Sequence, residues 1–225
     1  MFNKFLIQFF LLFGLTFAHN IPSLNKSIVQ FGNLEGRHGL DLNIGIYDNT
    51  NITSITSVSG INSSVVTNSS IGFMGSIAYQ YWFKDYLSFR IGAGALITDV
   101  KTKTTAGAEV SSEVATVAPI LTGVNFYPLQ ISEENSVLPY LSISAGPYIG
   151  VYNKSEVGIA TVTQETIVET VIGAKLGAGL DFLIGSLFKL GVNAGYHFMG
   201  DYSRPIGSET NYSGPEYSLS FGFVF

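Results

Sequence analysis

The chain has 225 residues, only 12% of them charged, with 11 Lys or Arg against 16 Asp or Glu and a net charge of −5. It has no Cys, which excludes disulfides, thiol catalysis and cysteine-ligated metals, and its acidic balance argues against nucleic acid as a partner. Mean hydropathy is nevertheless +0.33, and the chain is rich in Gly, Phe and Tyr.

The amino terminus has the three parts of a secretory signal peptide. Met1–Lys4 carries one positive charge, Phe5–Phe17 is apolar apart from Gln8, Gly14 and Thr16, and Thr16-Phe17-Ala18 puts small residues around a cleavage site. A membrane-anchoring helix needs about 20 apolar residues. This run is shorter, so residues 1–18 are read as a signal peptide cleaved after Ala18. Losing Lys4 takes the net charge from −5 to −6. Residues 19–36 then form a periplasmic N-terminal lead-in, and 37–225 the folded domain. An exported chain without Cys fits a bacterial envelope better than a eukaryotic secretory route. No apolar run after Ala18 approaches helix-spanning length, so the high hydropathy must be carried by strands.

Alternation of apolar and small or polar residues predicts these strands in order, since successive strand side chains point to opposite faces. The first, 38–48, sets Leu40, Leu42, Ile44 and Ile46 against Asp41, Asn43, Gly45 and Tyr47. The second, 70–83, sets Ile71, Phe73, Ile77, Tyr79, Tyr81 and Phe83 against Gly72, Ser76, Ala78 and Gln80. The third, 86–101, sets Leu87, Phe89, Ile91, Ala93, Ala95 and Ile97 against Ser88, Arg90, Gly92 and Gly94. The fourth, 114–127, and fifth, 138–153, are interrupted by Pro119, Pro139 and Pro147, and neither phase is wholly apolar. The sixth, 167–184, opposes Ile172, Ala174, Leu176, Ala178, Leu180, Phe182 and Ile184 to Gly173, Lys175, Gly177, Gly179 and Asp181. The seventh, 187–199, opposes Phe188, Leu190, Val192, Ala194, Tyr196 and Phe198 to Lys189, Gly191, Asn193, Gly195 and His197. The eighth closes the chain, with Tyr217, Leu219, Phe221, Phe223 and Phe225 on one face.

Short links at 84–85, 129–137 and 185–186 alternate with long polar links at 49–69, 102–113, 153–166 and 200–215. An even strand number and alternating link lengths describe an outer-membrane barrel with periplasmic termini and extracellular loops. A soluble eight-stranded barrel would instead turn its apolar face inward. The expected fold is therefore all-β: an eight-stranded antiparallel transmembrane β-barrel after a cleavable signal peptide.

The signal peptide, the eight strands, the Gly-zigzag Ile91-Gly92-Ala93-Gly94-Ala95 and the Phe-terminated last strand resemble the small outer-membrane β-barrel family of OmpA, OmpX and opacity type. Leu138-Pro139-Tyr140-Leu141-Ser142-Ile143-Ser144-Ala145-Gly146 is similar to that family's Pro-Tyr…Gly-x-Gly strand entry, with Ala145 replacing the first Gly. The resemblance implies a bacterial outer-membrane location and outer-membrane lipids as surroundings. It also implies that Tyr217, Leu219, Phe221, Phe223 and Phe225 form a signal read by barrel assembly machinery. It says little about activity.

Four inward charges, Asp41, Arg90, Asp181 and Lys189, are expected at one level in the periplasmic half of the lumen. An eight-stranded barrel is only wide enough for its own side chains. Because unpaired buried charges are costly, these four are expected to pair and plug the lumen; the alternative is a narrow pore for small solutes. Catalysis of the lipid A-modifying kind would need a nucleophile beside a His. His197 faces inward and Asp201 follows where the strand leaves the membrane, but the position two residues on is Met199, and Ser203 and Ser218 meet His197 only through unseen folding. His19 and His38 are too scattered to complete a metal site. No enzyme, cofactor or metal is therefore expected. The loops remain the candidates for an extracellular ligand. The link 49–69 is rich in Ser, Thr and Asn, with Asn-x-Ser/Thr patterns at Asn51, Asn62 and Asn68 expected by chance. Residues 153–169 alternate Val, Ile and Thr with Glu, as a protruding hairpin would, and Arg204 follows a turn-rich stretch.

Overall fold

The computed structural model describes residues 34–50, 56–57, 66–67, 71–105, 109–128, 137–157 and 162–225. The expected signal peptide (1–18) and all but the end of the expected lead-in (19–36) lie outside the described residues. Eight strands close into one antiparallel ring: β1 (His38–Asp48), β2 (Ile71–Lys84), β3 (Leu87–Thr105), β4 (Glu109–Phe126), β5 (Val137–Val157), β6 (Val162–Ile184), β7 (Phe188–Met199) and β8 (Gly214–Val224). Each pairs with its neighbour in sequence, and β1 closes on β8 from Gly39↔Val224 to Tyr47↔Glu216. Thr56–Ser57 and Val66–Thr67 form a separate small ladder within the first long link.

The faces follow the alternation. Leu40, Leu42, Ile44 and Ile46 are exposed, whereas Asp41, Asn43 and Tyr47 are buried inside the ring. The same holds around the wall, where Phe73 is 73% and Ile172 71% exposed. A continuous apolar outer face is far beyond the patches a water-soluble monomer leaves bare. It is the belt a barrel presents to lipid.

The prolines that blur the fourth and fifth segments leave the register intact. Pro119 pairs with Tyr148 and Thr122 with Ala145, so the β4–β5 ladder resumes in phase after the gap around Pro147. Tight turns join the strands at the end carrying the described termini: Asp85-Tyr86, and Gly185–Leu187, where Gly185 adopts a φ of 59°.

The opposite end departs from the expected links. Residues 102–113 and 153–166 are mostly strand, since β3 and β4 stay paired to Thr105↔Glu109 and β5 and β6 to Val157↔Val162. Thr, Val and Ser in both arms favour extended backbone, so a polar composition here belongs to strand rather than to loop. The link before β8 is shorter than expected, 200–213, because the last strand starts at Gly214.

Candidate functional site in the barrel lumen

The lumen is filled in three layers. At the periplasmic end, Leu34, Trp82, Tyr127, Leu138, Tyr140, Leu183 and Val224 form an apolar floor. The end of the lead-in is tied across it: Leu34 N–H donates to Asp85 Oδ1 at 2.8 Å, Gly36 N–H to Trp82 O at 2.7 Å, and Arg37 Nη2 to Ser186 O at 2.6 Å.

Just above lies the first charged layer. Lys189 Nζ sits 3.0 Å from Asp41 Oδ2, 3.2 Å from Asp181 Oδ2 and 3.1 Å from Gln80 Oε1, and 5.5 Å over the Trp82 ring. Gln80 Nε2 donates to Ser88 Oγ at 2.6 Å and to the Tyr127 hydroxyl at 2.7 Å, and Tyr127 donates to Asp181 Oδ2 at 3.2 Å. Of the four inward charges expected to share a level, Asp41, Asp181 and Lys189 are thus brought together. Arg90 stands opposite Gln80 in the β2–β3 ladder and interacts electrostatically with Asp41 and Asp181, but no described carboxylate comes within ion-pairing distance of it, and it lines a cavity in the middle of the barrel.

A second polar cluster occupies that middle layer. Glu216 takes Lys175 Nζ on Oε1 and His197 Nε2 on Oε2, the latter at 2.6 Å, while His197 Nδ1 lies 2.9 Å from the Tyr148 hydroxyl. Both ring nitrogens of His197 are therefore used, and no Ser or Thr hydroxyl bonds to it among the described residues. Glu216 and Tyr148 were not singled out in the sequence. Extending the alternation of the last strand backwards by one residue from Tyr217 would have placed Glu216 inward, on the face shared with Ser218 and Ser220. Lys175 already stood on the inward face of the sixth segment.

The extracellular end is closed by Tyr47, Met74, Leu96, Tyr148 and Met199, with Tyr202, Ile206 and Tyr212 from the 200–213 segment folded into the mouth. This plug is held by Tyr202 N–H on Thr210 O at 2.7 Å, Ile206 N–H on Glu209 O at 2.9 Å, and the Tyr202 hydroxyl on Tyr148 O at 3.3 Å. Burial raises the pKa of the Tyr202 hydroxyl, which keeps it a neutral donor. Gly150 makes the seat: a Cβ there would lie 2.8 Å from Ile206 Cγ1 and 2.9 Å from Tyr202 Cζ. Outside the plug, Arg204 Nε reaches Glu169 Oε1 at 2.7 Å.

A floor, two charge layers and a plug inside an apolar-faced ring set this chain beside solved membrane barrels. OprG from Pseudomonas aeruginosa matches with a TM-score of 0.52 at 12% identity, over 88% of this chain and 99% of that one. The fold is that of a bacterial outer-membrane β-barrel. Ail of Yersinia pestis, in complex with the heparin analogue sucrose octasulfate, matches with a TM-score of 0.50 at 13% identity, over 85% of this chain and 99% of that one. No protein-family profile and no curated protein sequence matches the chain.

The expected assembly residues lie on the outer face of β8 and at its end. Leu219, Phe221, Phe223 and Phe225 are exposed. Phe225 bonds back to β1 through its N–H on His38 O at 2.9 Å and its carbonyl under His38 N–H at 2.8 Å, with the two rings stacked.

Proposed function

We propose that this outer-membrane barrel is non-catalytic and acts at the cell surface, engaging an extracellular polypeptide through the sheet that rises above its mouth. One observation carries the reading. Strands β3 to β6 continue beyond their neighbours as a four-stranded sheet whose two edges pair with no further strand among the described residues. Pairing of β2 with β3 stops at Phe73↔Ile97, eight residues short of Thr105, which is about 25 Å of extended chain. Pairing of β6 with β7 stops at Gly173↔Met199, which leaves the β6 edge open from Val162.

Open strand edges rich in Thr, Val and Ile recruit further strands through main-chain hydrogen bonds. On β6 the Ile172 carbonyl faces the β7 side, where it accepts Gly200 N–H at 3.2 Å. By alternation, Thr166, Val168 and Thr170 direct their backbone groups to the same open side. Charge supports a polypeptide over a polyanion. The rising sheet carries Asp99, Glu109, Glu113, Glu156, Glu165 and Glu169 against Lys101, Lys103 and Lys154. The sulfated ligand seen with the Ail barrel therefore gives no guide to the ligand here.

The test uses whole cells expressing the full chain with a photo-crosslinking residue at Thr166. A polypeptide adduct is expected, and Val168→Pro, which removes only an outward-facing edge donor, should abolish it. An adduct unaffected by the proline would sink strand addition. Recovery of the protein outside the outer-membrane fraction would overturn the cell-surface reading itself.

A further inference from the structure

We infer that the middle of the lumen is a binding site for one small monovalent anion, of the size of chloride or formate. The cavity there has a volume of about 70 Å³ and is bordered by Arg90, Lys175 and Glu216, with Ser76 and Ser142 beside them. A smaller void of about 20 Å³ shares those five residues and adds Asn43, Asn193 and Ser218. At roughly 10–15 Å³ for each water-sized occupant, the larger cavity takes an anion with a few waters and excludes anything bulky.

The lining is made of donors. The Arg90 guanidinium presents five N–H groups in a fixed fork and has no acceptor of its own. Most acceptors nearby are already engaged. Glu216 is taken on both oxygens by Lys175 and His197, and Asp41 and Asp181 each give an oxygen to Lys189 in the layer below, where Asp41 Oδ1 stays unbonded and out of hydrogen-bonding reach of Arg90. The neutral groups add to the imbalance. Ser76 Oγ accepts from Asn43 Nδ2 at 3.1 Å and Ser218 Oγ accepts from Asn193 Nδ2 at 3.4 Å, so each hydroxyl proton is left to point elsewhere. Asn193 Oδ1, the other acceptor in reach, is taken by the Tyr140 hydroxyl.

A guanidinium held in a confined space without a hydrogen-bonded acceptor is costly, and a mobile anion supplies the missing acceptor. The six inward charges are balanced, three of each sign, and Arg90 interacts electrostatically with Asp41 and Asp181 below. What the middle level lacks is bonded acceptors, and an anion supplies one where the donors converge.

The test uses the full chain folded in detergent, its unfolding followed by the shift in gel migration on heating, in sodium chloride against sodium gluconate at equal ionic strength. Chloride, small enough for the cavity, should raise the midpoint saturably, and gluconate should not. Arg90→Gln should raise the half-saturating chloride concentration at least roughly tenfold, as expected for loss of a hydrogen bond to a charged group, while Arg204→Gln on the outer surface leaves it unchanged. If Arg90→Gln does not fold, Ser218→Ala, which removes a free hydroxyl donor, should weaken the chloride response in the same direction. Crystals grown in bromide should place an anomalous peak beside Arg90. Identical midpoints in the two salts, a chloride response that survives both variants, or only water beside Arg90 would each overturn the site.

Discussion

The Tyr148 hydroxyl lies 2.9 Å from His197 Nδ1, and His197 Nε2 lies 2.6 Å from Glu216 Oε2, so one imidazole bridges β5 and β8 across the lumen. Hydroxyl, imidazole and carboxylate in line have the look of a catalytic relay. All three side chains are buried beneath the plug, and the arrangement works as a cross-brace. His197→Ala is expected to leave Tyr148 and Glu216 each short of a partner and to cost about 1–3 kcal/mol in urea unfolding. Lipid A from cells overexpressing the wild type should match that from cells expressing the variant. A lipid A change that needs His197 would restore the enzyme reading.

Lys189 is the hub of the lower layer. Lys189→Met strands two buried carboxylates and should destabilise the folded barrel by about 3–5 kcal/mol, whereas the triple change Lys189→Met, Asp41→Asn, Asp181→Asn should recover most of that loss. Equal loss in the single and triple variants would mean that packing, not charge, is what Lys189 contributes.

The plug depends on a missing side chain. Gly150→Leu should clash with Ile206 and Tyr202, cost about 1–3 kcal/mol and expel the 200–213 segment. Chymotryptic cleavage after Tyr202 and Tyr212, both buried in the plug, should rise in the folded variant and stay low in the wild type. Unchanged cleavage would show that the mouth is closed by something other than this segment.

Leu219 is 60% exposed, and in a protein surrounded by water its replacement would change stability by no more than about 0.5 kcal/mol. Facing hydrocarbon, Leu219→Arg should instead cost about 2–4 kcal/mol when folding is measured into lipid bilayers. A neutral result there would remove the lipid-facing assignment of the β8 outer row.

The closed lumen predicts electrical silence. Floor and plug both fill the bore, so the purified barrel in planar bilayers should show no stable unitary steps. Regular steps in the wild type would favour the narrow-pore alternative.

Much of the barrel could be read from alternation because a lipid-facing wall repeats one simple rule along every strand. Leu40 to Ile46 and Phe188 to Phe198 obey it, and their faces fall as expected. The rule weakens where both faces meet water. The upper arms of β3 to β6 are Thr-, Ser- and Glu-rich on either side, which reads as loop although the backbone stays paired. Prolines 119 and 147 hide β4 and β5 for another reason: they remove ladder donors without shifting register. The lumen was legible only in part. Which residues face inward follows from parity, but which of them meet depends on strand tilt and side-chain reach, so Arg90 stands opposite Gln80 yet makes no ion pair with Asp41 or Asp181. The plug was out of reach, because Tyr202, Ile206 and Tyr212 sit in a turn-rich stretch with no period at all.

The hydrogen bonds between His38 and Phe225 join the first strand of the ring to the end of the chain. Every wall contact outside the β1–β8 seam links strands that are neighbours in sequence and can form while the chain is still emerging, but the seam must wait for β8. Until then the growing sheet keeps two raw margins, and the slowest step of folding is the meeting of its most distant parts. Insertion is thereby timed by completion: a chain cut short anywhere before β8 remains an open sheet, unable to shut its own edges and exposed to the fate of any unfinished strand.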